Sequence, residues 1–154
     1  MKAHGHQVCV ILPFGKCPVA EALRQEGIKV YPVFFGWWME PSYWGRGMKV
    51  CFRLLYRMEW IAIRRISRIV RKEKADIVHS NSSVIDAGCR AALRCGVPHV
   101  WHFREFGDLD YRLAFIKGRE KSLDFIRKAK SSNIFISKAL REYYSDLPDE
   151  GIHN

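Results

Sequence analysis

The chain of 154 residues is 48 % apolar and 13 % aromatic, enough for one ordinary hydrophobic core and too much for a disordered chain. Twenty-six Lys and Arg against 16 Asp and Glu leave a formal charge of +10, which implies an acidic partner such as phosphate, anionic lipid or nucleic acid. No apolar run approaches the roughly 18–20 residues needed to cross a bilayer, and the N-terminus lacks a signal peptide's apolar centre, so the chain is expected in the cytosol or at the cytosolic face of a membrane.

Five scattered cysteines (Cys9, Cys17, Cys51, Cys89, Cys95) form no C-x-x-C pair. They read as reduced, mostly buried thiols, with no spacing signal for a metal or a disulfide framework.

In chain order, Ala3–His6 reads as the last turn of a helix with Gly5 as its stop, followed by a buried strand over Gln7–Pro13. Val19–Glu26 reads as a short helix stopped by Gly27, and Ile28–Phe35 as a second apolar strand, parallel to the first. Residues 36–47 (GWWMEPSYWGRG) are punctuated by Gly and Pro and read as a loop. The commoner outcome for such a loop is rings folded onto the core. The sharper one is an aromatic patch of Trp37, Trp38 and Trp44 that meets a membrane interface or stacks on a ligand.

Met48–Ala75 is expected to be the longest helix. Leu55, Met58, Ala62, Ile66, Ile69 and Val70 recur at three- and four-residue steps as an inward stripe. Arg53, Arg57, Arg64, Arg68 and Arg71 recur on another face. The segment holds nine Lys and Arg against two Glu, a net +7. Most charge runs are solvated faces, but one sign on one stripe adds weight to an anionic surface as partner.

The centre of the chain is 75–111, ADIVHSNSSVIDAGCRAALRCGVPHVWHFREFGDLDY. A short strand over Asp76–His79 stops at a polar cluster. A helix over Val84–Cys95 stops at Gly96, and a second strand runs over Val97–Phe103. That order implies parallel neighbours joined by a right-handed crossover, and ligands of open α/β sheets sit beyond the strands' carboxyl ends. Both polar clusters fall there. Asn81 and Ser82 are candidates to cap the following helix or bind an anion at its start. Arg104 and Glu105 read as a surface ion pair or as a phosphate fork with a carboxylate for sugar hydroxyls. His99 and His102, three apart on a strand, point to opposite faces and cannot share a metal. One of them is a core residue, and His102 at the strand's end opens onto the crevice.

Beyond the centre, Leu113–Ile116 reads as a short helical turn, Arg119–Lys130 as a helix and Asn133–Ile136 as a buried strand. A last helix over Lys138–Ser145 has Ser137 as its N-cap, and Pro148–Asn154 reads as a frayed tail or cut linker. The chain contains no Gly-rich phosphate loop, no G-x-S-x-G nucleophile turn and no metal-ligand spacing.

Four segments, GHQVCVILP, ADIVHSNS, GVPHVWHFREFGDLDY and IFISKALREYY, resemble in order and spacing the N-terminal, acceptor-side domain of family 4 retaining glycosyltransferases. The resemblance covers almost the whole chain. It implies one Rossmann-like domain over 1–154, a parallel sheet with helices on both faces, belonging to the two-domain GT-B arrangement. It also implies that His102 faces the sugar and that Ser80, Asn81 and Ser82 line the same cleft. The family's nucleotide-sugar is a substrate, so no cofactor is expected. The expected partners are a C-terminal nucleotide-sugar-binding domain on the same or a separate chain, a glycan or lipid-linked acceptor, and an anionic membrane surface touched through basic and aromatic residues.

The departures shape the expectation too. The family's first strand and Gly-rich turn should precede Ala3, so the sheet is expected to lack its first strand and expose an unpaired edge. The donor-side groups are not in this sequence. Two other readings stand behind the sugar-transferase one: a non-catalytic acceptor-binding or membrane-anchoring half, and, well behind it, a nucleic-acid-binding module motivated by charge alone.

Overall fold

The computed structural model describes residues 5–144. The helix end expected at Ala3 and His4 and the tail expected over 148–154 lie outside them. Cys9–Leu12 (β1) and Lys29–Pro32 (β2) pair in parallel around the helix Pro18–Gln25 (α1). Proline at the first position of α1 lacks the N–H that a helix start leaves unpaired, and Gly27 supplies the left-handed φ of +68° that ends it. Val78–Ser80 (β4), His99–Phe103 (β5) and Ser132–Phe135 (β7) form a three-stranded parallel sheet with β5 in the middle. The helix Ala87–Cys95 (α4) crosses from β4 to β5 and stops at Gly96, φ +68°. The helix Arg119–Ala129 (α6) leads into β7, and Lys138–Tyr143 (α7) follows it. Ser137 caps α7 by accepting the Leu140 N–H.

The result is a mixed α/β domain of parallel sheets flanked by helices, as expected. The expected single sheet is in two pieces, because among the described residues no strand joins β1 to β4. Both strands still border one apolar cluster: Ile11 of β1 and Val78 of β4 pack against Val33, Ala62, Ile66, Val70, Ala87 and Ala91. A second cluster lies around Trp101 and Phe103 of β5, with Trp38, Ile126, Leu140 and Tyr144.

Three local expectations change. The loop over 36–47 contains a strand, Met39–Pro41 (β3). It pairs antiparallel with Leu113–Phe115 (β6), where a helical turn was expected. The turn comes earlier, at Asp108–Tyr111 (α5), and buried Leu113 follows it into the pairing.

The expected helix over Met48–Ala75 is two helices, Arg46–Tyr56 (α2) and Glu59–Lys72 (α3). At the break the Met58 N–H bonds back three residues to Leu55 O instead of four, tightening the chain into a turn. Polar groups hold it. The Tyr56 hydroxyl donates to Asp86 Oδ2 at 2.8 Å, and Glu59 Oε2 accepts the Gly36 N–H at 2.8 Å. The inward stripe therefore holds for Ala62, Ile66 and Val70, while Leu55 (64 % exposed) and Met58 face solvent. No residue of α2 is buried.

Glu59 and Asp86 are both buried, and each keeps one oxygen without a hydrogen-bond partner. Burial, with the nearby Asp86 charge adding to it, pushes the Glu59 carboxyl up to about 7. The folded chain then holds an extra proton between about pH 4.5 and 7, so the stability tied to Glu59 is full below that window and lost across it. Glu59→Gln is expected to gain stability on the native chain as pH rises through this window and to hold the gain above it. The gain is on the order of 3 kcal/mol. Thermal melts of both proteins at several pH values check this, and a pH-independent difference contradicts it.

Candidate functional site

The parallel register sets Ser80 beside Trp101 and Phe103 beside Phe135. The carboxyl ends of β4, β5 and β7 therefore lie at one edge, and the segments after β4 and β5 leave the sheet together. The first is pinned at Ser82–Ser83. The Trp101 indole N–H donates to Ser82 O at 2.9 Å, the Trp38 indole N–H to Ser83 O at 2.8 Å, and the Trp38 backbone N–H to Val84 O at 3.1 Å. Glu105 closes the turn from the β5 side. Its Oε1 accepts the Ser83 N–H at 2.7 Å and the Ser83 hydroxyl at 3.1 Å, and also takes the Ser82 hydroxyl. A carboxylate is suited to this place because it accepts several short donors at once.

Of the residues expected to line a crevice, the structure leaves three accessible at or just beyond the strand ends. His102 is half-buried, and Asn81 and Arg104 are exposed. The His102 ring stacks on His79, with centroids 5.7 Å apart and planes at 19°. His79 stands on the neighbouring strand, β4. Its β-ladder neighbour is Val100, so it shares a face with Val100 and His102, and only the register reveals the pair. Burial, and to a lesser degree the facing His102, lowers the pKa of His79, which favours a neutral ring there.

The other candidates are placed differently. Ser80 is turned into the core, where its hydroxyl bonds His99 Nε2 at 2.9 Å. A methyl group on Gly88 would stand 2.3 Å from that hydroxyl, so the lack of a side chain at Gly88 is what lets α4 pack so closely on β4. His99 is the core histidine of the pair: its Nδ1 bonds Ser131 Oγ at 2.8 Å, and burial pushes its pKa down to about 4. Ser82 and Glu105 are spent largely on each other and on Ser83. Neither Asn81 nor Ser82 caps α4, which starts later, after Asp86. Ser82 Oγ instead accepts the Val84 N–H within its own turn.

The basic and aromatic set also divides. Trp38 is 3 % exposed and stacks on Trp101 at 5.4 Å, so it leaves the surface set. Its indole is needed inside as a donor. Trp44 is half-buried against Phe52, while Trp37 is exposed. Arg53 makes a two-pronged bond to buried Glu40 of β3, at 3.0 and 2.5 Å, and so ties α2 to the body of the domain. Arg57, Arg64, Arg68 and Arg71 are exposed; Arg57 lies one turn after Arg53 at the end of α2, and the other three lie on α3, beyond the break. Among the described residues no three His, Cys, Asp or Glu gather as a metal site, and no helix is long and apolar enough to cross a membrane.

A parallel α/β domain with polar residues gathered beyond its strand ends belongs to the Rossmann-like class, where ligands occupy that edge. Within that class the family is shown directly. The chain belongs to the glycosyl transferase 4-like domain family, which matches it over residues 1–144, and it is a glycosyltransferase N-terminal domain. No curated protein and no solved structure matches it.

The pinned turn makes a direct prediction. Glu105→Ala removes three acceptor contacts and leaves the Ser83 N–H without its partner, so it is expected to cost about 1.5–3 kcal/mol. Amide exchange at Ser83 and Val84 should accelerate with it. Unchanged melting and unchanged exchange contradict the role given to Glu105.

Proposed function

We propose that this domain is the acceptor-side half of a retaining glycosyltransferase of two facing Rossmann-like domains. In the complete enzyme, a sugar passes from a nucleotide-sugar to a cell-surface glycan or glycolipid acceptor with retention of configuration. The observation that carries this reading is the strand-end edge of a glycosyl transferase 4-like domain, which presents half-buried His102 with exposed Asn81 and Arg104.

His102 is the group that faces the transferring sugar, with the exposed His79 ring stacked on it to fix its plane. Arg104 and Asn81 orient the acceptor. Glu105 acts by holding the turn at Ser82–Ser83, which keeps the crevice wall in one shape. Transfer also requires preorganised donors for the leaving diphosphate. Those groups belong to a second, nucleotide-sugar-binding domain on the same or a separate chain. If that domain is on a separate chain, the present one is the acceptor-binding or membrane-anchoring half of a split enzyme.

The exposed arginines and Trp37 support a second element of the reading, contact with an anionic membrane surface at the inner face of the cell membrane. Nucleic acid is not a partner in this proposal.

The purified 154-residue chain is expected to give no turnover with nucleotide-sugars. Saturation-transfer NMR should still detect oligosaccharide or lipid-linked acceptors, and His102→Ala should remove that signal without shifting the melting temperature. Turnover by the chain alone overturns the two-domain assignment. Binding of nucleotide-sugars in place of acceptors overturns the acceptor-side one.

A further inference from the structure

Away from the strand ends, α3, α4 and α6 border an open surface groove of about 450 Å³. Its lining combines Arg64, Arg90 and Arg94 with the apolar Trp60, Ile63, Leu93 and Phe125. No acidic side chain lines it. Its cationic wall is partly built in advance. Arg90 is held by Asp86 at 2.6 Å and lies over the Phe125 ring at 4.1 Å, so its plane is fixed before any ligand arrives. Asp86 offsets that one charge. Arg64 sits over the Trp60 ring at 5.8 Å, and Arg94 is exposed, so two cationic groups remain for a ligand.

The rim of the groove is apolar and open to solvent. Trp60 is 55 % exposed and Leu93 49 %. Met58, Leu55 and Leu54, just before Trp60 in the chain, are also exposed large side chains. Arginine above apolar and indole surface is the arrangement that suits the boundary between phosphate headgroups and acyl chains. A free phosphate would have no use for the apolar rim, and an acidic protein would not need an exposed indole and leucine there.

We infer that the groove between α3, α4 and α6 is a headgroup site for an anionic phospholipid: Arg64 and Arg94 pair with the phosphate, and Trp60 and Leu93 meet the first acyl carbons. This rests on the membrane-surface element of the proposed function and deepens it from general charge attraction to one located site. The groove's volume suits a phosphodiester with its glycerol. Arg90, already neutralised, acts as a rigid floor.

The test is co-sedimentation of the whole chain with vesicles of phosphatidylcholine alone and with added phosphatidylglycerol. Arg64→Gln/Arg94→Gln is compared with Arg65→Gln/Lys121→Gln, a pair of exposed charges outside the groove. The expected result is binding that requires phosphatidylglycerol, a loss of about tenfold or more for the groove pair, and a much smaller loss for the control pair. Tryptophan emission should shift to the blue on binding in the native chain, and less in Trp60→Phe. Equal losses for the two pairs mean that charge alone attracts the membrane, which overturns the groove and leaves the membrane reading standing. Absence of binding by the native chain overturns both.

Discussion

The segment Ser82–Val84 is the constraint on which the rest of the domain turns. Three successive backbone carbonyls there leave the sheet and would be unpaired inside the protein, at a cost of about 1–3 kcal/mol each. Two indoles and one backbone N–H of Trp38 take them, and Glu105 takes the donors. The same two indoles stack on each other in the core. One device thus fixes the exit from β4, the start of α4 and the wall of the crevice. Because Trp38 also positions β3, the distant β3–β6 pair is tied to that wall: the Ile116 N–H donates to Trp38 O at 3.0 Å.

Asp86 is a second shared anchor, reached by Tyr56 at the end of α2 and by Arg90 on α4. Burying a carboxylate is favourable only when opposite charge and hydrogen bonds surround it, and its neighbours here supply both. The geometry has a consequence on the outside. To bring Tyr56 and Glu59 inward the chain turns between α2 and α3, and the apolar residues of α2 are left facing solvent. The domain therefore shows two chemically different surfaces, a polar crevice at the strand ends and a basic, partly apolar flank formed by α2 and α3.

The family and most of the alternation of parallel strands and helices are legible in the chain, except β3, β6 and the break between α2 and α3. Period-two and period-3.6 patterns, Gly stops at Gly27 and Gly96 and the Ser137 cap are local signals, because helix bonds and caps close within a few residues and side-chain alternation belongs to a single strand. That locality is why β1, α1, α4, β5, α6, β7 and α7 stand close to where the chain predicts them. The opposite faces of His99 and His102 follow equally from the alternation along one strand.

The tertiary structure alone decided everything that depends on partners far along the chain. The apolar period runs unbroken through Arg57 and Met58, and only the reach of Tyr56 to Asp86 and of Glu59 to Gly36 splits that helix. Trp38 and Ser80 look like surface candidates in sequence, yet each is drawn inside by one hydrogen-bond partner, Ser83 O and the His99 ring. Leu113–Phe115 becomes a strand because Met39–Pro41 lies beside it. His79 joins His102 only through the β4–β5 register. Non-local pairing of this kind leaves no periodic trace in the chain, since its energy arises from which buried polar group meets which.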